Sequence, residues 1–303
     1  MADGPRWIDL IDPTADALRA HLPENLHPAA LELLLTPLAH DDEPRPRIES
    51  HGHYVVGLLL VAIAMRAEDR IYYQEVDFIL TPEQLVTVSK TPPGEHPFDP
   101  KPAQDACRPN DPTGMYLYRL VDEVAERYLD LIDELNAEID EVEDHVEEWR
   151  PNKVRERVSS LRHDLLHIRR TLTPTRDAVH RIVDDRVELD SYELFPREVE
   201  LYFADAYDKF LRATEGLETS RDLVAGVRDY FQSKVAIDQN EVMKRLTMVA
   251  SLLLLPTFIV GLYGQNFHHI PELGWSFGYW WSWGLIISTT IGQLVFFRFK
   301  RWL

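Results

Sequence analysis

The residues with the most capacity for chemistry sit in one short stretch near the C-terminus. Gly264-Gln265-Asn266 carries two side-chain amides, His268 and His269 follow, and Glu272 closes the stretch. Amide and carboxylate oxygens are hard acceptors, whereas imidazole suits borderline metals such as Zn²⁺, Co²⁺ and Ni²⁺. Taken alone, Gly-x-Asn is equally an ordinary turn at a helix end, and two adjacent histidines are equally plain loop residues. The rest of the chain offers less. His163 and His167 have the i, i+4 spacing of a helical metal pair, but no third ligand stands near, and a solvated helix face accounts for them. There is no Gly-rich phosphate loop, no His-Glu-x-x-His and no nucleophile constellation, so nothing supports an enzyme.

What flanks the stretch gives it meaning. Leu246–Tyr263 runs 18 residues without a charge, which as a helix spans about 27 Å, close to the hydrocarbon thickness of a bilayer. Leu273–Phe297 runs 25 residues without a charge and carries Trp275, Phe277, Tyr279, Trp280, Trp281 and Trp283 at one end. Such rings favour the membrane–water boundary. Lys244 and Arg245 precede the first run, and Arg298, Lys300 and Arg301 follow the second. The positive-inside rule places both basic flanks, and with them both termini, in the cytoplasm, and the connecting loop 264–272 outside. Pro256 lies within the first run and is tolerated in a membrane helix whose freed carbonyl finds another partner. Two spans enclose no pore, so any transport reading requires an oligomer. The first residues show no basic n-region followed by an apolar stretch, so no signal peptide is expected.

The 303 residues carry a formal net charge of −19, although Val242–Leu303 is net basic. The region before it is therefore strongly acidic, repels nucleic acid and favours cations or simple solubility. Cys107 is the single cysteine, which excludes an internal disulfide and fits a reducing compartment.

The elements that position these residues follow from periodicity. Residues 6–11 read as a strand, 14–21 and 28–36 as short helices, and 46–65 as a strand centred on Tyr54–Val61. Residues 71–80 and 84–89 read as a hairpin turning at Thr81-Pro82-Glu83. This is an α/β domain over residues 1–112, with a Pro- and Gly-rich linker at its end. From Leu117 to Val146, apolar residues recur every three or four positions, predicting a long amphipathic helix over 113–149. Its second half is rich in acid (Glu134, Glu138, Asp140, Glu141, Glu143, Asp144, Glu147, Glu148). A basic helix over 152–172 returns against it, a shorter helix covers 174–189, and together these make a helical hairpin region, 113–195. From Pro196 to Tyr263 one helix about 100 Å long is expected, divided into a stalk (196–245) and a membrane helix (246–263). A second membrane helix (273–297) and a basic tail (298–303) complete a chain that is mainly α. One face of the first membrane helix carries Asn240, Met243, Leu246, Ala250, Leu254 and Thr257 at three- and four-residue intervals.

The stretch Gly261-Leu262-Tyr263-Gly264-Gln265-Asn266-Phe267 resembles the signature of the CorA family of magnesium channels, in which the first membrane helix ends in Tyr-Gly-Met-Asn-Phe. Asn240-Glu241-Val242-Met243-Lys244, Pro271-Glu272-Leu273, Gly278-Tyr279 and the tail Lys300-Arg301-Trp302-Leu303 are also similar. So are Trp7-Ile8-Asp9-Leu10 and Arg45-Pro46-Arg47-Ile48-Glu49 near the N-terminus. The resemblance implies a homopentamer in a bacterial inner membrane, with a cytoplasmic funnel and five first membrane helices around one pore. It places Asn266 as a ring of amides that holds a hydrated ion at the outer mouth. It makes Asn240, Met243, Leu246, Ala250, Leu254 and Thr257 pore-lining, and the apolar rings among them a barrier that dewets. It implies regulatory Mg²⁺ between subunits at Asp205, with Glu68 and Asp69 as partner acids and Asp229 as a second stalk acid, and a basic ring at Arg298, Lys300 and Arg301. The transported ion is then Mg²⁺. Gln265 stands where the family has Met, and together with His268 and His269 it opens Co²⁺, Ni²⁺ or Zn²⁺ as alternatives; a non-conducting membrane sensor or scaffold is the reading from another class. Gly264 is expected to approach neighbouring backbone closely with positive φ.

Overall fold

The computed structural model describes residues 6–23, 26–36, 44–65, 70–266 and 270–302. The chain divides into two compact units, Met1–Val227 and Arg228–Leu303.

The first unit is built on a five-stranded sheet. Its strands are β1 (Arg6–Ile11), β2 (Arg47–Ser50), β3 (Val55–Met65), β4 (Arg70–Leu80) and β5 (Gln84–Lys90), in the order β1-β5-β4-β3-β2. β1 pairs parallel with β5, and every other pairing is antiparallel. The expected single strand over 46–65 is two strands. The break falls at His51-Gly52-His53, where Gly52 takes φ 71°, a left-handed conformation open to glycine at no steric cost. The β4–β5 turn forms as expected, with Thr81 Oγ1 accepting from the Gln84 N–H at 3.1 Å.

One sheet face carries Val56, Ile79 and Val88 against Leu18 of α1 (Ala15–Arg19) and Ala30 and Leu34 of α2 (Pro28–Leu35). The same face holds a buried charged cluster. Lys90 Nζ lies 2.5 Å from both Glu75 Oε1 and Asp77 Oδ2 and donates to the Leu33 carbonyl at 2.8 Å. Asp77 is fully buried, yet neither of its oxygens accepts a well-directed hydrogen bond. Burial first, and the charge of Glu75 second, push its carboxyl well above the ordinary range, against the pull of Lys90.

The short helix α3 (Lys101–Asp105) lies within the expected linker. α4 (Thr113–His145) follows and packs Tyr116 against Trp7 of β1. Tyr128 of α4 donates to the Leu60 carbonyl of β3 at 3.1 Å. α5 (Pro151–Val183) is one helix where two are expected. Pro174 lies inside it without ending it, because Leu161, Leu165, Ile168, Leu172, Val179 and Ile182 bury a continuous face through that position. Hydroxyls of Thr171 and Thr175 donate to helix carbonyls in the same turn.

α6 (Arg197–Tyr263) is a single helix of 67 residues. Its first part buries Phe203, Ala206, Phe210, Ala213 and Leu217. Phe210 meets Tyr128 edge-to-face, and Lys209 bonds Asp122 and Glu126 at 2.6 Å each. Ser220 donates to Asn136 Oδ1 at 2.6 Å. In the second unit, α6 runs on to Tyr263 and meets α7 (Gly278–Phe299). A 3₁₀ turn, Pro271–Gly274, takes up the start of the second uncharged run, so the helix begins only at Gly278. Among the described residues, α6 is the one helix both long and apolar enough to cross a membrane. α7 has 22 residues and is less apolar, because Trp, Tyr, Ser and Thr replace aliphatic side chains along it.

Candidate functional site

The helical part of α6 ends at Tyr263, and the next residues cap it. The Gly264 N–H donates to the Val260 carbonyl at 2.8 Å, and the Gln265 N–H to the Leu262 carbonyl at 3.4 Å. The expected close approach at Gly264 is present: a Cβ there would stand 3.1 Å from the Val260 oxygen. The expected positive φ is not, because the chain leaves the helix through a turn that keeps the ordinary sign of φ. Gln265 and Asn266 are exposed directly beyond this turn. His268 and His269 lie outside the described residues. Glu272 is half-buried in the 3₁₀ turn. A Cβ on Gly278 would come within 2.3 Å of the Glu272 carbonyl oxygen, so the first turn of α7 is seated directly on that peptide.

Asn240, Met243, Leu246, Ala250, Leu254 and Thr257 are all exposed, with Leu254 at 71% and Leu246 at 60%. At 3.6 residues per turn they occupy about one third of the circumference of α6. The buried residues of this stretch, Met248 and Ile259, fall on the opposite side. Phe297 is the buried residue of α7. The Thr257 hydroxyl donates to the Leu253 carbonyl one turn back along α6 at 2.7 Å.

Of the regulatory candidates, Asp205 and Asp229 fall on α6. Asp205 is exposed on α6. Asp229 is engaged by its neighbour Arg228, at 3.1 Å from Nε and 3.0 Å from Nη2. Glu68 and Asp69 lie outside the described residues. Among the described residues, no group of three or more His, Cys, Asp or Glu is arranged to hold a metal ion. His163 and His167 stand with ring centroids 5.9 Å apart, and His167 meets Tyr73 edge-on.

Arg298, Lys300 and Arg301 are exposed at the end of α7. There the chain closes back, with the Trp302 N–H donating to the Phe297 carbonyl at 2.9 Å and the two rings stacked 5.8 Å apart. At the other end of α7, Trp275 packs on Phe277 and Trp281.

Sequence reasoning did not find one polar contact between the two apolar helices. Gln293 Nε2 of α7 donates to the Ser251 carbonyl of α6 at 3.1 Å. The signal was a lone amide within an uncharged run; its partner, a backbone carbonyl, leaves no mark in a sequence.

An α/β unit whose last helix continues into an apolar end, followed by an amide-bearing turn and a second apolar helix, defines a membrane-anchored transport architecture. The chain belongs to the family of CorA-like Mg²⁺ transporter proteins, whose model matches residues 2–301. It is 30% identical over 307 residues to the cobalt/magnesium transport protein CorA of Thermotoga maritima, covering 99% of this chain and 84% of that protein. The putative metal ion transporter YfjQ of Bacillus subtilis is 36% identical over 194 residues, covering 62% of this chain and 58% of the relative. The fold matches that of the complete CorA magnesium transporter from Methanocaldococcus jannaschii with a TM-score of 0.77 at 21% identity, over 98% of this chain and 91% of the other. This chain is thus a CorA-like divalent metal ion transporter with a C-terminal transmembrane region, and not an enzyme.

Proposed function

We propose that this protein takes up Mg²⁺ through a pore formed by five copies of α6, with Asn266 at the outer mouth and both termini in the cytoplasm. The observation that carries the reading is the free face of α6. Six residues from Asn240 to Thr257 are exposed on the side away from Met248 and Ile259. That stripe leads to two amides beyond the turn at Gly264. A ring of amide oxygens hydrogen-bonds the water shell of Mg²⁺ without stripping it, which suits an ion that dehydrates reluctantly. Leu254, Leu246 and Met243 form apolar constrictions that hold the pore shut when dry. The exposed carboxylate of Asp205 pairs across subunits with an acid of the neighbouring first unit, and internal Mg²⁺ bridging them keeps the pore closed.

Co²⁺ is the second reading, favoured by the name of the Thermotoga maritima relative and by the imidazoles of His268 and His269 in the loop sequence. The test is uptake by reconstituted vesicles of Mg²⁺, Co²⁺, Ni²⁺ and Zn²⁺ side by side, with Asn266→Ala as the control. Mg²⁺ entry that exceeds the others and is lost in the variant is expected. Equal entry in the variant removes the amide ring, and preference for another ion reassigns the cargo.

A further inference from the structure

Gln293 is an uncompensated polar residue in an apolar setting. Its Nε2 reaches the Ser251 carbonyl at 3.1 Å, while its Oε1 is buried and accepts nothing among the described residues. Nearby hydroxyls are committed elsewhere: Thr247, Ser251, Thr257, Ser282, Ser288, Thr289 and Thr290 each donate to a carbonyl of their own helix. A half-buried amide whose shielded oxygen goes unmatched in this way costs stability where an aliphatic side chain would not. Its presence is therefore unexplained by packing.

What it touches supplies the explanation. Ser251 lies just over one turn before Pro256. A proline inside a helix removes the bond to the carbonyl four residues back, here that of Leu252, and makes that turn the most easily bent point of the helix. The amide of Gln293 thus ties the α6 segment just before this weak turn to α7, and that segment carries Leu246, Ala250 and Leu254.

We infer that Gln293 is a positioning residue: its hydrogen bond to Ser251 restrains α6 beside its weak turn at Pro256 and thereby holds the apolar constriction closed. The inference rests on the gated-pore reading above. Without the amide, the segment of α6 before Pro256 moves more freely at that turn and the constriction closes less tightly under internal Mg²⁺.

The test is flux through full-length protein in vesicles loaded with graded internal Mg²⁺, with assembly checked by size-exclusion chromatography in detergent. Gln293→Met keeps length and apolar bulk but has no N–H. It should assemble normally and raise the Mg²⁺ concentration for half-block roughly three- to tenfold, the change expected for one interhelical hydrogen bond. Pro256→Ala restores the missing helix bond and stiffens that turn. In that background Gln293→Met should shift the block less than about twofold, as coupled sites require. Ser251→Ala keeps the carbonyl and should leave the block at its wild-type value. An unchanged block in Gln293→Met, an undiminished effect in the Pro256→Ala background, or loss of assembly each overturns the inference. Wild-type protein that conducts and is blocked, beside an unaltered Gln293→Met, sinks this inference alone. Wild-type protein that conducts nothing sinks the gated-pore reading with it.

Discussion

The two units solve opposite problems. The first hides charge: Glu75, Asp77 and Lys90 are buried together beneath α2. The second exposes oil: Leu246, Leu253, Leu254, Phe258 and Val260 of α6 stand mostly uncovered, as do Trp280, Ile287, Ile291 and Val295 of α7. A soluble helix pair with that much bare apolar surface aggregates, whereas a lipid-facing or oligomeric pair does not. The difference teaches where each unit finds its stability. The first closes on its own core, and its buried Lys90 is matched by Glu75 and Asp77 of the same chain. The second leaves its apolar surface uncovered within one chain, to be met by lipid and, on the proposed reading, by further copies of itself.

The sharpest way to break this comparison is Asn266→Ala. If the exposed stripe of α6 is a pore ending in that amide, flux in vesicles falls by more than about tenfold while assembly stays intact, because the side chain is exposed rather than part of a packed core. Lys90→Met tests the other unit. It leaves two carboxylates buried without their cation and should destabilise the first unit by about 3–5 kcal/mol, seen as a lowered first transition in thermal unfolding of the intact protein. Flux per folded molecule should not move. Gly278→Ala comes next. Its methyl group would press on the Glu272 carbonyl, and overpacking of that kind costs about 1–3 kcal/mol, read as a lower melting temperature of the second unit with reduced flux.

The smallest effect is a pH slope. The Asp77 carboxyl is raised well above its ordinary 3.8 by burial and by Glu75. The folded chain therefore keeps a proton there that the unfolded chain has already released. Stability from this site is full below the unfolded value and is lost as pH rises through the raised one. Asp77→Asn, which mimics the protonated form, should flatten the fall in melting temperature as pH is raised from 4 toward neutrality.

The legible parts of the sequence were those with a repeating physical cause. Period-two and period-three-to-four patterns marked β1, the β4–β5 hairpin, α4 and the length of α6, and the uncharged runs marked the apolar helices. Local signals misled where tertiary packing outweighed them. Pro174 reads as a helix stop, but the buried face of α5 carries the helix through it. The strand expected over 46–65 breaks at Gly52, where one left-handed residue outweighs an otherwise continuous apolar pattern. At the site, the amides and the stripe were legible because they lie on one stretch of chain. The Lys90 cluster was not, because its members meet only across strands and under α2. Nor was the Gln293 contact, because its acceptor is backbone.

Gly278 has a mechanical consequence. With no room even for a methyl group between the first turn of α7 and the Glu272 carbonyl, that peptide has no slack and must travel with α7. Gln265, whose N–H is held by the Leu262 carbonyl, must travel with α6. The acid and this amide of the same short connection therefore belong to different rods. Any twist of one rod against the other changes their spacing like the two scales of a vernier, so on the proposed reading a movement too small to see along either helix alters which oxygens an arriving ion meets together.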